Sequence, residues 1–172
     1  MKDVLIVVDM QNDFIDGALG TKEAEAIVAP LAERIARHTG DIYFTRDTHG
    51  EDYLLTNEGK HLPVPHCVKG THGWQICDAL LPFAKDEAVI DKPSFGSPEL
   101  ASLIKNTYEK EDVTVTLVGL CTDICVISNA MLLKAALPEA EIRVESALCA
   151  GVSPESHERA LLSMKTCQIT VI

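Results

Sequence analysis

Six short apolar runs, most of them rich in β-branched residues, recur along the chain and constrain its fold more than any other feature. They span residues 4–8, 41–45, 88–91, 113–118, 142–145 and 168–171. Runs of this length and composition are typical of strands that are buried on both faces of a parallel sheet. Segments with helical periodicity lie between them, at 23–37, 98–108, 125–137 and 154–164. Alternating strands and helices predict an α/β fold with a parallel sheet.

Size and charge narrow the classes of protein to which the chain can belong. Its 172 residues, 47% of them hydrophobic, are enough for one substantial core, so we expect a single domain over 1–172. We see no apolar stretch long enough for a signal peptide or a membrane span, and expect a soluble, cytoplasmic protein. A formal charge of -11 argues against nucleic-acid binding, which needs basic groups. We therefore expect the partner to be a small molecule or another protein and, in a cytoplasmic chain, we expect six free thiols.

Polar side chains follow several of the predicted strands. Asp9 ends the first strand, Asp47 and His49 follow the second, Lys92 follows the third, and Cys125 lies just past the fourth. Open parallel sheets bind ligands in the crevice beyond the carboxyl ends of their strands. The sequence therefore predicts a functional site at this edge of the sheet.

Cys125 is the candidate nucleophile, because residues 119–125 form a turn between a strand and a helix. A thiol at a helix N-terminus has its thiolate stabilised by the helix dipole and by free backbone N–H groups, which can also bind an oxyanion. Asp9 can supply the base and Lys92 the balancing charge. Taken singly, each residue has a plainer interpretation: Cys125 as a small buried apolar side chain, and Asp9 and Lys92 as surface charges.

A second cluster of candidates lies in and around the segment 48–71, which contains Gly, Pro and His and shows no periodicity. Loops of this length within a compact domain are usually functional. Asp47, His49, Glu58 and His66 offer the mixture of carboxylate and imidazole ligands that suits Zn²⁺, Mn²⁺ or Fe²⁺. The alternative interpretation is that these residues are ordinary polar residues of a solvent-exposed loop.

Together these residues resemble the isochorismatase-like cysteine hydrolases, and especially their nicotinamidase/pyrazinamidase branch. Four ordered blocks carry the resemblance: residues 7–14, residues 47–49 with 65–71, Lys92, and residues 119–126. The resemblance implies a Rossmann-like, three-layer, doubly wound fold, in which a six-stranded, mainly parallel sheet has helices on both faces. It also implies a homo-oligomer, because members of this family are often dimers or larger assemblies.

The resemblance implies a role for each candidate residue. Asp9, Lys92 and Cys125 match the family's catalytic triad, and the backbone N–H groups of Cys121 and Cys125 match its oxyanion hole, with a cis peptide between Leu120 and Cys121. Asp47, His49 and His66 match the ligands of one divalent metal ion, zinc first, with manganese or iron as alternatives. Glu58 is the best match for the fourth ligand and Glu51 the alternative. Phe14 and Phe95 are the candidates for contact with the substrate ring.

The activity implied by the resemblance is the hydrolysis of nicotinamide to nicotinate and ammonia through a cysteine thioester, a reaction of NAD salvage. The segments Leu62-Pro63-Val64-Pro65-His66 and Pro93-Ser94-Phe95 depart from the usual nicotinamidase pattern, and leave the substrate less certain than the reaction class. The nearest alternative is a related hydrolase of another small amide, a carbamoyl compound or isochorismate. A phosphoacceptor signalling domain is a non-enzymatic alternative, but it leaves Cys125 and the His66 segment unexplained.

Overall fold

One six-stranded sheet forms the centre of the molecule in the computed structural model, which describes residues 2–172. Its strands are β1 (Lys2–Val8), β2 (Asp41–Asp47), β3 (Val89–Lys92), β4 (Val113–Leu120), β5 (Glu141–Ala150) and β6 (Thr170–Val171). They lie in the order β3-β2-β1-β4-β5-β6, and each neighbouring pair is parallel. The predicted α/β fold with a parallel sheet is therefore confirmed.

Helices connect the strands, and four of the six within residues 2–172 begin at a capping side chain. The helices are α1 (Asn12–Ile15), α2 (Lys22–Ala36), α3 (Asn57–His61), α4 (Pro98–Tyr108), α5 (Ile127–Ala136) and α6 (Pro154–Thr166). The side chains of Thr21, Ser97 and Ser153 accept hydrogen bonds from backbone N–H groups in the first turns of α2, α4 and α6. Such caps satisfy donors that have no partner within the helix.

The sheet is covered on both faces, which gives the three layers expected. Alternate residues of β1 point to opposite sides, so Val4, Ile6 and Val8 belong to one apolar cluster, and Leu5 and Val7 belong to the other. The first cluster includes apolar residues of α4, α5 and α6, whereas the second includes those of α2. No helix among residues 2–172 is both long enough and apolar enough to span a membrane.

Strand order reverses at β1, because the chain runs outward through β2 and β3 before it returns to β4 on the other side. A crevice opens at such a reversal, beyond the carboxyl ends of the two central strands. Asp9 directly follows β1, and the turn that carries Cys125 directly follows β4. The topology therefore directs the candidate residues to one place.

Three local features differ from the sequence-based expectation. The predicted helix 125–137 is preceded by a π-helical turn, Thr122–Val126, and α5 begins only at Ile127. β5 continues to Ala150 because Cys149 and Ala150 pair with the end of β4, although residues 146–150 have little intrinsic strand preference. The segment 48–71 contains α3, which Thr56 caps by accepting a hydrogen bond from the N–H of Gly59 at 3.0 Å.

Candidate active site

Lys92 lies at the centre of the site, with its side chain fully buried. Its Nζ is 2.6 Å from Asp9 Oδ2 and 3.5 Å from Cys125 Sγ. It also donates to Asp47 Oδ1 at 3.4 Å and to the carbonyl of Ser94 at 2.9 Å. Burial opposes the charge on the ammonium, but the Asp9 carboxylate, the Cys125 sulfur when it is deprotonated, and the Asp47 carboxylate outweigh this effect and raise the pKa of Lys92 above its ordinary value. Lys92 is therefore a permanent cation between the carboxylates and the thiol.

Asp9 is held at the end of β1 with its carboxyl group fully buried. Its backbone has a φ of 47°, a left-handed conformation that Asp tolerates better than most residues. The Thr45 hydroxyl donates to Asp9 Oδ1 at 2.6 Å, while the other carboxylate oxygen meets Lys92. Burial raises the pKa of Asp9, and the Lys92 ammonium opposes this shift. A carboxylate with a raised pKa beside a thiol is suited to accept and return a proton.

Cys125 lies in the π-helical turn, and the residues around it fix this turn from several directions. Asn129 Nδ2 donates to the Cys125 carbonyl at 2.8 Å, and a 2.8 Å hydrogen bond joins Thr122 Oγ1 to His157 Nδ1. The Leu120–Cys121 peptide before the turn is cis, as the resemblance implies. At Gly119, where φ is +111°, a side chain would collide with the backbone of β1. Only glycine allows β4 to approach β1 this closely before the turn.

The two cysteines of this turn have different surroundings. Burial, reinforced by the Asp9 carboxylate, holds the pKa of Cys125 well above its usual value, and Lys92 opposes this shift. These surroundings favour the neutral thiol over the thiolate, so Cys125 needs a proton acceptor before it can attack. Cys121 lines the adjacent wall, where burial and then Asp123 raise its pKa to about 12.

Four potential metal ligands converge beside this triad of residues. One ligand atom from each of Asp47, His49, Glu58 and His66 lies within 4.8 Å of the others. His49 Nε2 is 2.9 Å from Asp47 Oδ2, and the Nε2 atoms of both histidines are 3.6 Å from Glu58 Oε1. The alternative ligand Glu51 is exposed and lies outside this group.

The chemistry of this donor set fits a divalent transition metal. The Val64 carbonyl can only accept, so His66 donates to it from Nδ1 at 2.8 Å. Neutral His66 therefore has an unprotonated Nε2 facing the other ligands, as metal-binding histidines do. Burial opposes ionisation of Asp47, but its contacts with the His49 and His66 rings, and then the Lys92 ammonium, lower its pKa below the ordinary value. Burial, with Asp47 next to it, raises the pKa of Glu58.

Sequence reasoning missed several residues that support the site. The buried Tyr53 ring lies 4.7 Å from the His49 ring and 5.0 Å from the His66 ring, measured between centroids. Thr45 holds Asp9, and Asn129 holds the turn that carries Cys125. Thr45 could have been noticed in the sequence, because it is a polar residue at the end of the apolar run 41–45. Tyr53 and Asn129 could not, because they resemble ordinary loop and helix residues.

A cavity of about 880 Å³ gives access to these groups. Its wall includes Cys125 and the four potential metal ligands, and both candidate substrate contacts, Phe14 and Phe95, also line it. The Phe14 ring is buried and lies 5.4 Å from the His66 ring, whereas Phe95 is 42% exposed. The structure therefore brings the predicted thiol, metal ligands and aromatic rings to the wall of one cavity, and it places Lys92 and Asp9 behind the thiol.

Comparison with known proteins agrees with this geometry. Residues 3–172 match the family model of the isochorismatase domain. The nicotinamidase/pyrazinamidase of Mycobacterium tuberculosis is 32% identical over 189 residues, which cover 98% of this chain and 97% of that protein. Two solved structures match this chain over at least 99% of both proteins. The pyrazinamidase of Pyrococcus horikoshii in complex with zinc is 30% identical with a TM-score of 0.81, and the pyrazinamidase/nicotinamidase of Streptococcus mutans is 33% identical with a TM-score of 0.82.

These relatives confirm the resemblance inferred from the four sequence blocks. The family model covers almost the whole chain, and the relatives and solved structures are named as nicotinamidases and pyrazinamidases. The chain belongs to the isochorismatase family.

Proposed function

We propose that this protein is a metal-containing cysteine amidohydrolase that converts nicotinamide and water to nicotinate and ammonia. One observation carries the proposal: the buried Lys92 ammonium contacts both Asp9 and Cys125, and Cys125 lines a cavity together with four potential metal ligands. The names of the relatives support an amide substrate. In a hydrolase of this kind, the carboxylate takes the proton of the thiol, and the lysine stabilises the negative charge on either group.

In the first half of the proposed reaction, Asp9 takes the proton of the Cys125 thiol, and the resulting thiolate attacks the amide carbon. Lys92 remains protonated, because it stabilises first the carboxylate and then the thiolate. The backbone N–H groups of Cys121 and Cys125 donate to the oxygen that becomes negative. When the tetrahedral intermediate collapses, the C–N bond breaks, ammonia leaves with the proton held by Asp9, and a thioester remains on Cys125.

The second half of the reaction restores the enzyme. Asp9, again a carboxylate, takes a proton from a water molecule, and the oxygen of that water attacks the thioester carbon. The C–S bond breaks, the Cys125 sulfur recovers the proton from Asp9, and the product leaves as nicotinic acid, which loses the second proton of the water to the solvent and becomes nicotinate. A raised pKa suits Asp9 to both directions of proton transfer. One water is consumed and one ammonia is released in each turnover.

Asp47, His49, Glu58 and His66 would hold one divalent metal ion, with zinc as our first choice and manganese or iron as alternatives. When bound, the ion supplies a Lewis-acid contact for the pyridine nitrogen or for a water molecule at that position. The zinc in the Pyrococcus horikoshii relative supports this assignment. Phe14 and Phe95 would hold the pyridine ring from the cavity wall.

The test of this proposal is ammonia release from nicotinamide by the purified protein, with the Cys125→Ala variant as the control. We expect turnover by the wild-type protein and none by the variant. Release of ammonia by both proteins, or by neither, contradicts the assignment.

The size of the cavity favours one alternative, a related hydrolase that acts on a bulkier amide. A volume of about 880 Å³ lies within the range of pockets that bind drug-sized molecules, and a pyridine carboxamide fills only part of such a space. Leu62 lies in the segment that departs from the nicotinamidase pattern, and it lines the cavity. Ammonia release from larger aromatic amides, at rates above that for nicotinamide, would establish this alternative.

A further inference from the structure

Asn129 is a polar side chain on α5 that is 99% buried and makes three hydrogen bonds to backbone groups. Its Nδ2 donates to the Cys125 carbonyl at 2.8 Å and to the Phe95 carbonyl at 3.2 Å. Its Oδ1 accepts from the N–H of Ser97 at 2.9 Å. One amide group thus joins the turn that carries the candidate nucleophile to the loop 93–97.

The loop 93–97 connects β3 to α4 and contacts two parts of the candidate active site. The carbonyl of Ser94 accepts a hydrogen bond from Lys92 Nζ, and Phe95 lines the cavity. The loop also packs closely on α5. A Cβ atom added at Gly96 would lie 2.7 Å from Leu132 Cδ1 and 3.3 Å from Ser128 Cβ. The position of the loop relative to α5 therefore affects both the lysine and the cavity wall.

We infer that Asn129 is a positioning residue: it fixes the loop 93–97 to the turn that carries Cys125 and so sets the distance between the Lys92 ammonium and the Cys125 sulfur. The inference rests on the proposed roles of Lys92 and Cys125. A buried amide with satisfied hydrogen bonds holds its partners rigidly. Without these bonds the loop can shift, and a displacement of about 1 Å in a catalytic group can cost a hundredfold in rate.

Three substitutions separate the link to the loop from the other contacts. Asn129→Leu has a similar shape and removes all three hydrogen bonds. Asn129→Ser removes both bonds to the loop, but its hydroxyl can still donate to the Cys125 carbonyl four residues earlier, as the Ser128 hydroxyl does to Ile124. Gly96→Val leaves Asn129 intact and crowds the loop against Leu132 and Ser128 of α5.

Ser128→Ala is the matched control. Ser128 precedes Asn129 on the same helix, and its hydroxyl donates to the Ile124 carbonyl at 2.6 Å. The substitution removes a hydrogen bond to the same turn but none to the loop 93–97.

The measurement is the rate of Cys125 alkylation by iodoacetamide as a function of pH in the full chain as purified, with Cys125→Ala giving the background from the other cysteines. The charged groups that face the sulfur are Asp9, Lys92 and Asp47. An ammonium that is no longer held near the sulfur stabilises the thiolate less. We expect the alkylation midpoint of all three variants to move up by at least about one pH unit, and that of Ser128→Ala to stay unchanged.

A steady-state assay with nicotinamide provides a second readout. We expect kcat to fall at least about tenfold in the three variants, with a rise in KM because the Phe95 wall is displaced. Alkylation needs no substrate, so a shifted midpoint in a protein without nicotinamidase activity supports the role of Asn129 and refutes only the substrate. A wild-type midpoint in folded Asn129→Ser overturns the inference. If Asn129→Leu fails to fold, Asn129→Ser decides the question.

Discussion

Cys121 and Cys125 lie four residues apart, and Cys125 is the one whose sulfur is 3.5 Å from the Lys92 ammonium. We predict that Cys125→Ala lowers kcat for nicotinamide at least about a thousandfold, because loss of the nucleophile removes most of the rate enhancement of a catalytic triad. Cys121→Ala should retain most activity, since the proposed mechanism uses only its backbone N–H. Ammonia release measures both effects. An inactive Cys121 variant beside an active Cys125 variant would reverse the assignment.

Asp9 has two separable effects on Cys125. Its negative charge raises the pKa of the thiol, and its carboxylate is the proposed proton acceptor. In Asp9→Asn the negative charge is absent while Lys92 still contacts Asp47, so the pKa of Cys125 falls and the thiolate forms at lower pH. We therefore predict alkylation with a lower pH midpoint but loss of hydrolysis. A midpoint that moves upward would show that Asp9 does not act on Cys125 through its charge.

At the scale of elements, the segment 48–71 between β2 and β3 provides three of the four candidate metal ligands. We predict about one divalent transition ion per chain in elemental analysis of the purified protein, and its loss in His49→Ala or His66→Ala. Glu58→Ala is also expected to lose the ion, whereas Glu51→Ala is the matched control, because Glu51 is exposed and outside the group. Full metal content in both histidine variants would refute the site.

The same segment links metal content to stability. Without an ion, the negative charges of Asp47 and Glu58 repel each other. An ion that binds only the folded state raises the free energy of unfolding, and this gain grows with the logarithm of the ion concentration. We predict that a chelator lowers the melting temperature by at least about 4 °C, which corresponds to about 1 to 2 kcal/mol in a chain of this size. His66→Ala should melt at the same temperature with or without chelator, and an unchanged wild-type melting temperature would contradict the prediction.

The regular elements could be predicted from the sequence because their patterns are local. β-branched apolar runs identified the strands, and caps such as Ser153 before Pro154 marked the helix starts. The extension of β5 could not be predicted, since Cys149 and Ala150 form a strand only through pairing with β4. The π-helical turn before α5 also escaped prediction, because a helical pattern does not show how the first turn is wound.

The candidate site also contains residues that could be predicted from the sequence and residues that could not. Asp9, Lys92 and Cys125 could be predicted as neighbours because each follows or ends a parallel strand, and parallel strands end at one edge. The supporting residues could not, because their roles depend on contacts between distant segments. Asn129 is one example, since its partners Phe95 and Ser97 are more than 30 residues away. Tyr53 is another, because nothing in the sequence shows that its ring packs between two histidines.

The whole molecule shapes the cavity, because several strand ends and loops line it together. We predict a kcat/KM for nicotinamide at least about tenfold above that for benzamide, which has the same shape but no ring nitrogen. A site built around a polar contact rejects an analogue that lacks it. The preference should disappear when a chelator removes the metal. Comparable values for the two amides would show that Leu62 and its neighbours form a pocket for a different substrate.

β1 is synthesised long before β4, yet it lies between β2 and β4 at the centre of the sheet. Until Val113–Leu120 leaves the ribosome, one edge of β1 has unpaired N–H and C=O groups beside five fully apolar residues, Val4 to Val8. At typical translation rates this interval is on the order of ten seconds, and unpaired edges of apolar strands promote aggregation. We therefore expect the yield of folded protein in a cell to depend on how soon β4 becomes available to pair with β1.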